Sequence, residues 1–274
     1  MNKSILFSLC FSFFATGLFA QKNKKDSKIN PIHVKSAVLA AGKLFRVKDF
    51  PTKNIQPRNI DIWLPENYSE NKKYAVLYMH DGQNLFDATT TWNKQEWMVD
   101  EIATQLMQEN KVKDFIVVGI HSISTIRWKD LYPEKAMDFL KKEDKDALYK
   151  EAAANNLGTD LNGDAYLKFI VDELKPFIDK NYSVAKDRKN TFVAGSSMGG
   201  LMSMYAVTEY PKVFGGAACI STHWVGATPK PDNKLPASIF SYLEANLPKA
   251  TSHKMYFDYG NKTLDQFYPV FAPK

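Results

Sequence analysis

A tight glycine–serine turn between an apolar strand and a helix is the strongest constraint on this 274-residue chain. Residues 195–199 read Gly-Ser-Ser-Met-Gly, a G-x-S-x-G pattern. A β-rich run, 191–194, precedes it, and an apolar run, 201–210, follows it. Glycines at both ends of such a turn allow strand and helix to approach closely, and the central serine is pushed out at the sheet edge. The pattern therefore predicts Ser197 as a nucleophile, whereas the alternative is an ordinary Gly/Ser turn.

The N-terminus has the composition of a secretory signal. Lys3 is followed by an apolar run, 5–19, and Ala20 then precedes the polar residues 21–25. The apolar run is shorter than the roughly 18 to 20 residues that a membrane span requires. We therefore predict a signal peptide, residues 1–20, cleaved after Ala20, with the mature chain secreted or periplasmic and without a membrane span.

Length and composition leave room for one large domain. After a polar leader, residues 21–44, we predict a single domain with a sizeable core over residues 45–274. The formal net charge is +6, from 36 basic and 30 acidic residues spread along the chain, which indicates surface solvation and no nucleic-acid partner. Neither a Cys/His metal spacing nor a G-x-x-x-x-G-K loop occurs, so the sequence predicts no metal and no cofactor. The oligomeric state is left open.

Apolar runs alternate with helical periods along the chain. Strands are predicted at 34–47, 59–64, 74–79, 115–120, 214–220 and 255–259, besides the strand before Ser197, and helices at 94–108, 164–178 and 236–247. Repeated strand–helix units predict a mainly parallel sheet with helices on both faces. The polar stretch 122–163 is expected to form a helical insertion that shapes the mouth of a site.

A serine that attacks a carbonyl needs hydrogen-bond donors for the negative oxygen that develops. In a strand–turn–helix site, one donor is the N–H of the residue after the nucleophile, here Met198. The other comes from the loop after an earlier central strand, which here is 80–87. Gly82 lets this loop turn inward and present the Gln83 N–H. We therefore predict Gln83 and Met198 as oxyanion donors.

Four short segments, in this order along the chain, carry a resemblance to a known family. They are Asp-Ile-Trp-Leu-Pro at 61–65, Tyr-Met-His-Asp-Gly-Gln-Asn-Leu-Phe at 78–86, the serine turn with Gly200, and Tyr-Phe-Asp-Tyr-Gly at 256–260. In these the chain resembles the esterase D-like family of α/β hydrolases, which includes feruloyl and acetyl xylan esterases, siderophore esterases and mycolyltransferases. The resemblance runs from about Phe45 to the C-terminus. It implies an α/β-hydrolase fold and cofactor-free hydrolysis of small or carbohydrate-linked esters through an acyl-serine.

The resemblance also implies an acid after the strand that ends near Tyr259, and a base histidine after that acid. Asp265 lies in the loop after the strand and is the predicted acid. Asp258, taken as part of the strand, is the alternative and could equally be a structural buried carboxylate. No histidine follows Asp265. We therefore expect a C-terminally truncated fold that lacks the strand–helix unit carrying the base.

The remaining candidates surround the predicted sheet edge. His223 follows the strand next to Ser197 and is the one substitute base, although we expect a packed, structural histidine there. The possible substrate contacts are His80, Trp128, Tyr132, His223 and Trp224. Two interpretations stay open: a secreted or periplasmic carboxylic ester hydrolase weakened by the missing histidine, and a non-catalytic remnant or truncated product that acts as a binding protein.

Overall fold

A computed structural model describes residues 29–155, 158–225 and 233–271. The predicted signal peptide lies outside the described residues. The strands are β1 Ile32–His33, β2 Lys43–Phe50, β3 Arg58–Leu64, β4 Ala75–His80, β5 Phe115–Ile120, β6 Thr191–Ser196, β7 Gly216–Ile220 and β8 Lys254–Phe257. They form one eight-stranded sheet in the order β1-β2-β3-β5-β4-β6-β7-β8. The sheet thus begins inside the predicted leader, residues 21–44, because that segment contains β1 and the first residues of β2.

The two halves of the sheet differ in strand direction. β1, β2, β3 and β5 are joined by antiparallel pairs, whereas β5, β4, β6, β7 and β8 are joined by parallel pairs. Parallel strands require crossover connections, and the intervening helices supply them. This arrangement confirms the predicted α/β fold with a mainly parallel sheet.

Helices cover the sheet in the described residues. They are α1 Val99–Gln108, α2 Arg127–Asp130, α3 Lys142–Ala154, α4 Gly163–Phe169, α5 Lys175–Asn181, α6 Met198–Glu209 and α7 Leu235–Asn246, with a π-helical turn, Ile170–Leu174, joining α4 to α5. None of these helices combines the length and apolarity needed to cross a bilayer.

The core is divided between the two faces of the sheet, as β4 shows. Val76 and Tyr78 belong to the larger cluster, while Leu77 and Met79 pack in the smaller one. Successive side chains of a strand point to opposite faces, so an apolar run without alternation marks a strand buried on both. The carboxyl ends of β4, β5, β6 and β7 then share one sheet edge, where the predicted loops meet.

Two predicted elements begin later than the sequence suggested. The first helix starts at Val99, since Met98 has a left-handed backbone (φ 53°) that a continuing helix does not accept. Strand β2 starts at Lys43 after Gly42, whose φ of +82° and close approach to the Trp63 side chain turn the chain there. Residues 34–42 therefore form a loop between the short β1 and β2.

Candidate active site

The backbone of Ser197 is held in a conformation that non-glycine residues rarely adopt. Its φ is 59° and its ψ is −119°, and the Ser197 N–H donates to the Ile220 carbonyl oxygen at 2.9 Å. A Cβ added at Gly195 would lie 2.7 Å from the Gly199 carbonyl carbon. The strand and helix therefore meet closely around the serine, with the strained strand–turn–helix geometry that exposes a nucleophile.

The predicted oxyanion loop follows β4 and is fixed on both sides. Asp81 has a left-handed backbone (φ 57°), and a Cβ at Gly82 would lie 2.5 Å from the carbonyl carbon of Gly119 in β5. The Gln83 side chain donates to Ser122 Oγ at 2.7 Å and accepts from the Ser122 N–H at 3.0 Å. Only glycine fits the close approach, and the paired amide contact sets the position of Gln83.

Met198 is the first residue of α6, and its N–H receives no partner from within the helix. An N–H at a helix start is suited to a developing negative charge. The structure thus brings the Ser197 turn and the Gln83 loop to neighbouring strand ends, β6 and β4.

A cavity of about 560 Å³ opens between these two loops. Its wall includes Ser197, Gln83, Trp92, Trp97, Ser122 and Arg127. A larger cavity, of about 690 Å³, lies at the opposite end of the strands, where Ala75, Phe115 and Lys254 begin β4, β5 and β8. Since chemistry needs the substrate beside the serine, the smaller cavity is the candidate substrate site.

Arg127 and Asp81 form a two-point ion pair at the cavity wall. The guanidinium donates through Nε and Nη2 to the two Asp81 oxygens, both at 2.8 Å. Burial raises and the Arg127 contact lowers the pKa of Asp81, and the net effect holds it below its usual value. Asp81 therefore stays charged near neutral pH and holds the Arg127 guanidinium in place. The sequence patterns did not indicate a role for Arg127.

His80 is not exposed to a substrate, contrary to the prediction. Its side chain is 0% exposed, and its Nδ1 lies 2.9 Å from the Tyr166 hydroxyl. A Cβ at Gly199 would lie 3.2 Å from the His80 Cβ. His80 therefore packs beneath the serine turn. Burial lowers its pKa from 6.5 to about 4, so the ring is neutral at pH 7.

The buried His80 predicts a loss of stability in acid. A histidine whose pKa is lower in the folded state takes up its proton first in the unfolded chain, so stability is fully present above pH 6.5 and declines as the pH falls towards 4. We expect the free energy of unfolding in urea to fall by roughly 2 kcal/mol between pH 7 and pH 5 through this residue. His80→Gln, which cannot titrate, should lack that part of the decline, and an identical decline in both proteins would contradict the assignment.

Trp128 and Tyr132 lie in the polar insertion but not at the cavity. Tyr132 is 1% exposed and belongs to the larger core cluster. The Trp128 ring lies 4.8 Å from the Tyr132 ring and packs against the same cluster. The predicted substrate contact is therefore wrong for Tyr132, because the insertion folds its apolar residues inward. Trp92, which is 89% exposed, and Trp97 line the cavity instead.

His223 lies next to the serine turn. Its N–H donates to the Ser197 carbonyl oxygen at 3.3 Å, and its Nδ1 is 3.3 Å from the Tyr268 hydroxyl. The His223 side chain is buried. The neighbouring Trp224 packs on Phe240, at 4.9 Å between ring centroids. Both residues thus contribute to packing around the end of β7.

The two candidate acids occupy different positions beyond β8. Asp258 is not part of the strand as predicted, because β8 ends at Phe257, and its Oδ1 accepts from the Ser221 N–H at 2.9 Å. Asp265 accepts from the Gly260 N–H at 2.7 Å and contacts the Tyr268 hydroxyl. Asp258 therefore lies directly after β8, whereas Asp265 lies in the first turn of a 3-10 helix, Thr263–Val270, and not in a loop as predicted. Asp265 is connected to His223 through Tyr268.

The fold and the serine turn define the class: an α/β hydrolase. The sequence matches the family described as "Putative esterase" over residues 54–263, which is most of the chain. The protein therefore belongs to this family.

The alignments to similar proteins cover only part of each protein. YbbA of Bacillus subtilis is 25% identical over 171 residues, which are 61% of this chain and 58% of YbbA. An endo-1,4-beta-xylanase/feruloyl esterase of Xylanibacter ruminicola is 26% identical over 160 residues, 57% of this chain and 18% of that protein. The chain thus spans little more than half of the first relative and a small part of the second.

Solved structures share the fold at low identity. A ferulic acid esterase has a TM-score of 0.57 at 17% identity, over 85% of this chain and 84% of that one. An IroE-like serine hydrolase from Shewanella oneidensis has a TM-score of 0.53 at 17% identity, over 85% of this chain and 78% of that one.

Proposed function

We propose that this protein is a secreted or periplasmic carboxylic ester hydrolase that works through an acyl-Ser197 intermediate. The Ser197 hydroxyl attacks the ester carbonyl carbon, its proton goes to a base, and the alcohol leaves protonated. Water then attacks the acyl-serine, releases the carboxylic acid and restores the hydroxyl. The Gln83 and Met198 N–H groups stabilise the oxyanion in both steps.

The backbone of Ser197 is the observation that carries this proposal. Strain of this kind persists only where the surroundings enforce it, and here Gly195 and Gly199 allow the close packing that does so. The strained residue also faces a cavity large enough for a small ester. An ordinary polar turn needs neither feature.

Asp265 is our proposed acid, because it follows β8 in the chain, in the first turn of the 3-10 helix Thr263–Val270, and an acid after this strand is typical of the fold. No histidine follows Asp265, and the chain order of the fold places the base after the acid. We therefore propose that these 274 residues hydrolyse esters slowly.

Hydrolysis of nitrophenyl acetate by the purified chain tests the function. We expect a low rate that still exceeds the roughly 10³ to 10⁴ above water that binding and an oxyanion hole sustain on their own, because the Ser197 hydroxyl still acts as the nucleophile. A rate no higher than that of unfolded protein would contradict the proposal and favour the non-catalytic alternative. Turnover typical of a complete serine esterase would show that another residue serves as base.

His223→Ala separates a base from a packing residue. We expect a lower melting temperature and less than about a tenfold loss of activity, because a buried histidine beside Tyr268 contributes mainly to packing. A nucleophile and its base fail as a unit. A loss as severe as that of Ser197→Ala, at an unchanged melting temperature, would instead identify His223 as the base.

The aromatic wall of the cavity supports an aromatic acyl group on a carbohydrate as substrate. Trp97 and Trp92 lie at the wall beside Ser197, and aromatic pairs contribute about 0.5–1.5 kcal/mol beyond area burial. The xylanase/feruloyl esterase relative and the ferulic acid esterase structure carry activities of this class in their names. Export of the chain would bring it to such esters.

Trp97→Ala is expected to raise the KM for nitrophenyl ferulate by about three- to tenfold, because one stacking contact is lost. The KM for nitrophenyl acetate, which has no ring to stack, should change less than about twofold. Trp97→Phe should keep most of the ferulate binding, and Trp128→Phe, away from the cavity, should leave the ratio of the two KM values unchanged. An equal change for both esters would contradict the aromatic subsite.

A further inference from the structure

Three carboxylates converge where α1 begins. One oxygen each of Glu96, Asp100 and Glu101 lies within 4.8 Å of the other two. Asp100 is 0% exposed, and its Oδ2 accepts from the Ala40 N–H at 2.7 Å and from the Ala41 N–H at 3.3 Å. The cluster therefore joins the segment before β2 to the start of the helix.

Two oxygens of this cluster have no donor. Asp100 Oδ1 and Glu101 Oε2 are buried, and neither accepts a hydrogen bond from any residue that the structure describes. None of the three carboxylates forms an ion pair with a described lysine, arginine or histidine. Lys94, close in sequence, donates to the Thr89 carbonyl oxygen instead. A buried carboxylate oxygen without a donor is costly, so a positive group between these two oxygens would stabilise both carboxylates.

We propose that Glu96, Asp100 and Glu101 bind a Ca²⁺ ion. Ca²⁺ takes oxygen ligands at 2.3–2.6 Å, so two ligands of one ion are at most about 5 Å apart, which the cluster satisfies. The donor set is all carboxylate, with neither the nitrogen nor the sulfur ligands that zinc prefers. Ca²⁺ also tolerates irregular geometry, whereas Mg²⁺ demands a near-ideal octahedron.

The ion would stabilise one wall of the candidate substrate site. Trp97 lies between Glu96 and the helix, and its N–H donates to the Asn84 carbonyl oxygen at 3.0 Å. The Val99 N–H donates to the Leu85 carbonyl oxygen at 3.3 Å. The segment that carries Glu96 thus rests on the loop that carries Gln83. Calcium binding connects this wall to the segment before β2 and does not depend on ester hydrolysis.

Thermal melting of chelator-treated protein, with and without CaCl₂, tests the site. At a hundredfold excess over the Kd we expect the melting temperature to rise by about 5 to 10 °C. Asp100→Asn, which keeps the shape and removes the charge, should abolish the rise, and Glu101→Gln, at a less buried position, should do the same if Asp100→Asn does not fold. Glu109→Gln, at the other end of α1, should keep it.

Two results would overturn the proposal. One is a wild-type melting temperature that calcium does not change. The other is an equal rise in the Asp100→Asn protein. Acidification gives a further check. If lowering the pH from 7 to 5 changes the difference in melting temperature between wild type and Asp100→Asn, and calcium does not, then a proton shared by Asp100 and Glu101 joins the carboxylates and the calcium site is wrong.

Discussion

Ser197→Ala is expected to lower nitrophenyl acetate hydrolysis by a factor on the order of 10² or more and to abolish acyl-protein formation. A hydroxyl held beside the substrate has a far higher effective concentration than bulk water, so its removal leaves only attack by water within the oxyanion hole. Initial rates at saturating ester measure the effect.

Ser241→Ala is the matched control, since this serine is exposed on α7. It should keep the wild-type rate. Circular dichroism should show both variants folded. A Ser197→Ala protein with wild-type activity would remove the serine from the mechanism, whatever residue serves as base.

The second large effect is expected at the buried ion pair between Arg58 and Asp130. Arg58 Nη2 lies 2.9 Å from Asp130 Oδ2, and the Asp130 residue is 1% exposed. Arg58→Leu leaves that carboxylate buried without its partner, which costs about 3–5 kcal/mol. Urea unfolding should show this loss. Asp130 ends α2, which begins with Arg127, so the variant should also loosen the cavity wall.

Lys142→Ala provides the comparison, because the Lys142–Asp146 pair is exposed. Its loss should change the free energy of unfolding by less than about 0.5 kcal/mol. The double variant Arg58→Leu/Asp130→Leu, which removes both charges, should be more stable than Arg58→Leu alone. If Arg58→Leu costs less than about 1 kcal/mol, the Asp130 carboxylate has found another partner or water.

Local patterns predicted the parallel half of the sheet well. Residues 115–120 and the run before Ser197 were identified because strands buried on both faces have apolar runs without alternation. The serine turn is also recognisable in the sequence, because the close approach of β6 and α6 requires glycines at its two ends. The start of α1 is not predictable in this way. The left-handed backbone of Met98 keeps the helix from beginning before Val99, and no proline or glycine in the sequence marks that position.

The walls of the site were harder to predict, since they depend on which side chains the insertion turns inward. Tyr132 lies in a polar stretch without helical period, yet it is buried, whereas Trp97 fits a helical period but lies before the helix, at the cavity. The Arg127–Asp81 pair spans 46 residues, and a sequence search for metal ligands built on cysteine and histidine passes over Glu96, Asp100 and Glu101. Contacts between distant segments have no periodic signal.

The most direct test of the account is the position of a covalent label. A fluorophosphonate probe transfers its phosphonyl group to an activated serine with release of fluoride, and peptide mass spectrometry then locates the adduct. We predict slow labelling confined to the peptide that contains Ser197, and none in the Ser197→Ala protein. Labelling at another residue, or an intact protein that stays unlabelled after prolonged incubation, would contradict the role of Ser197 as the nucleophile.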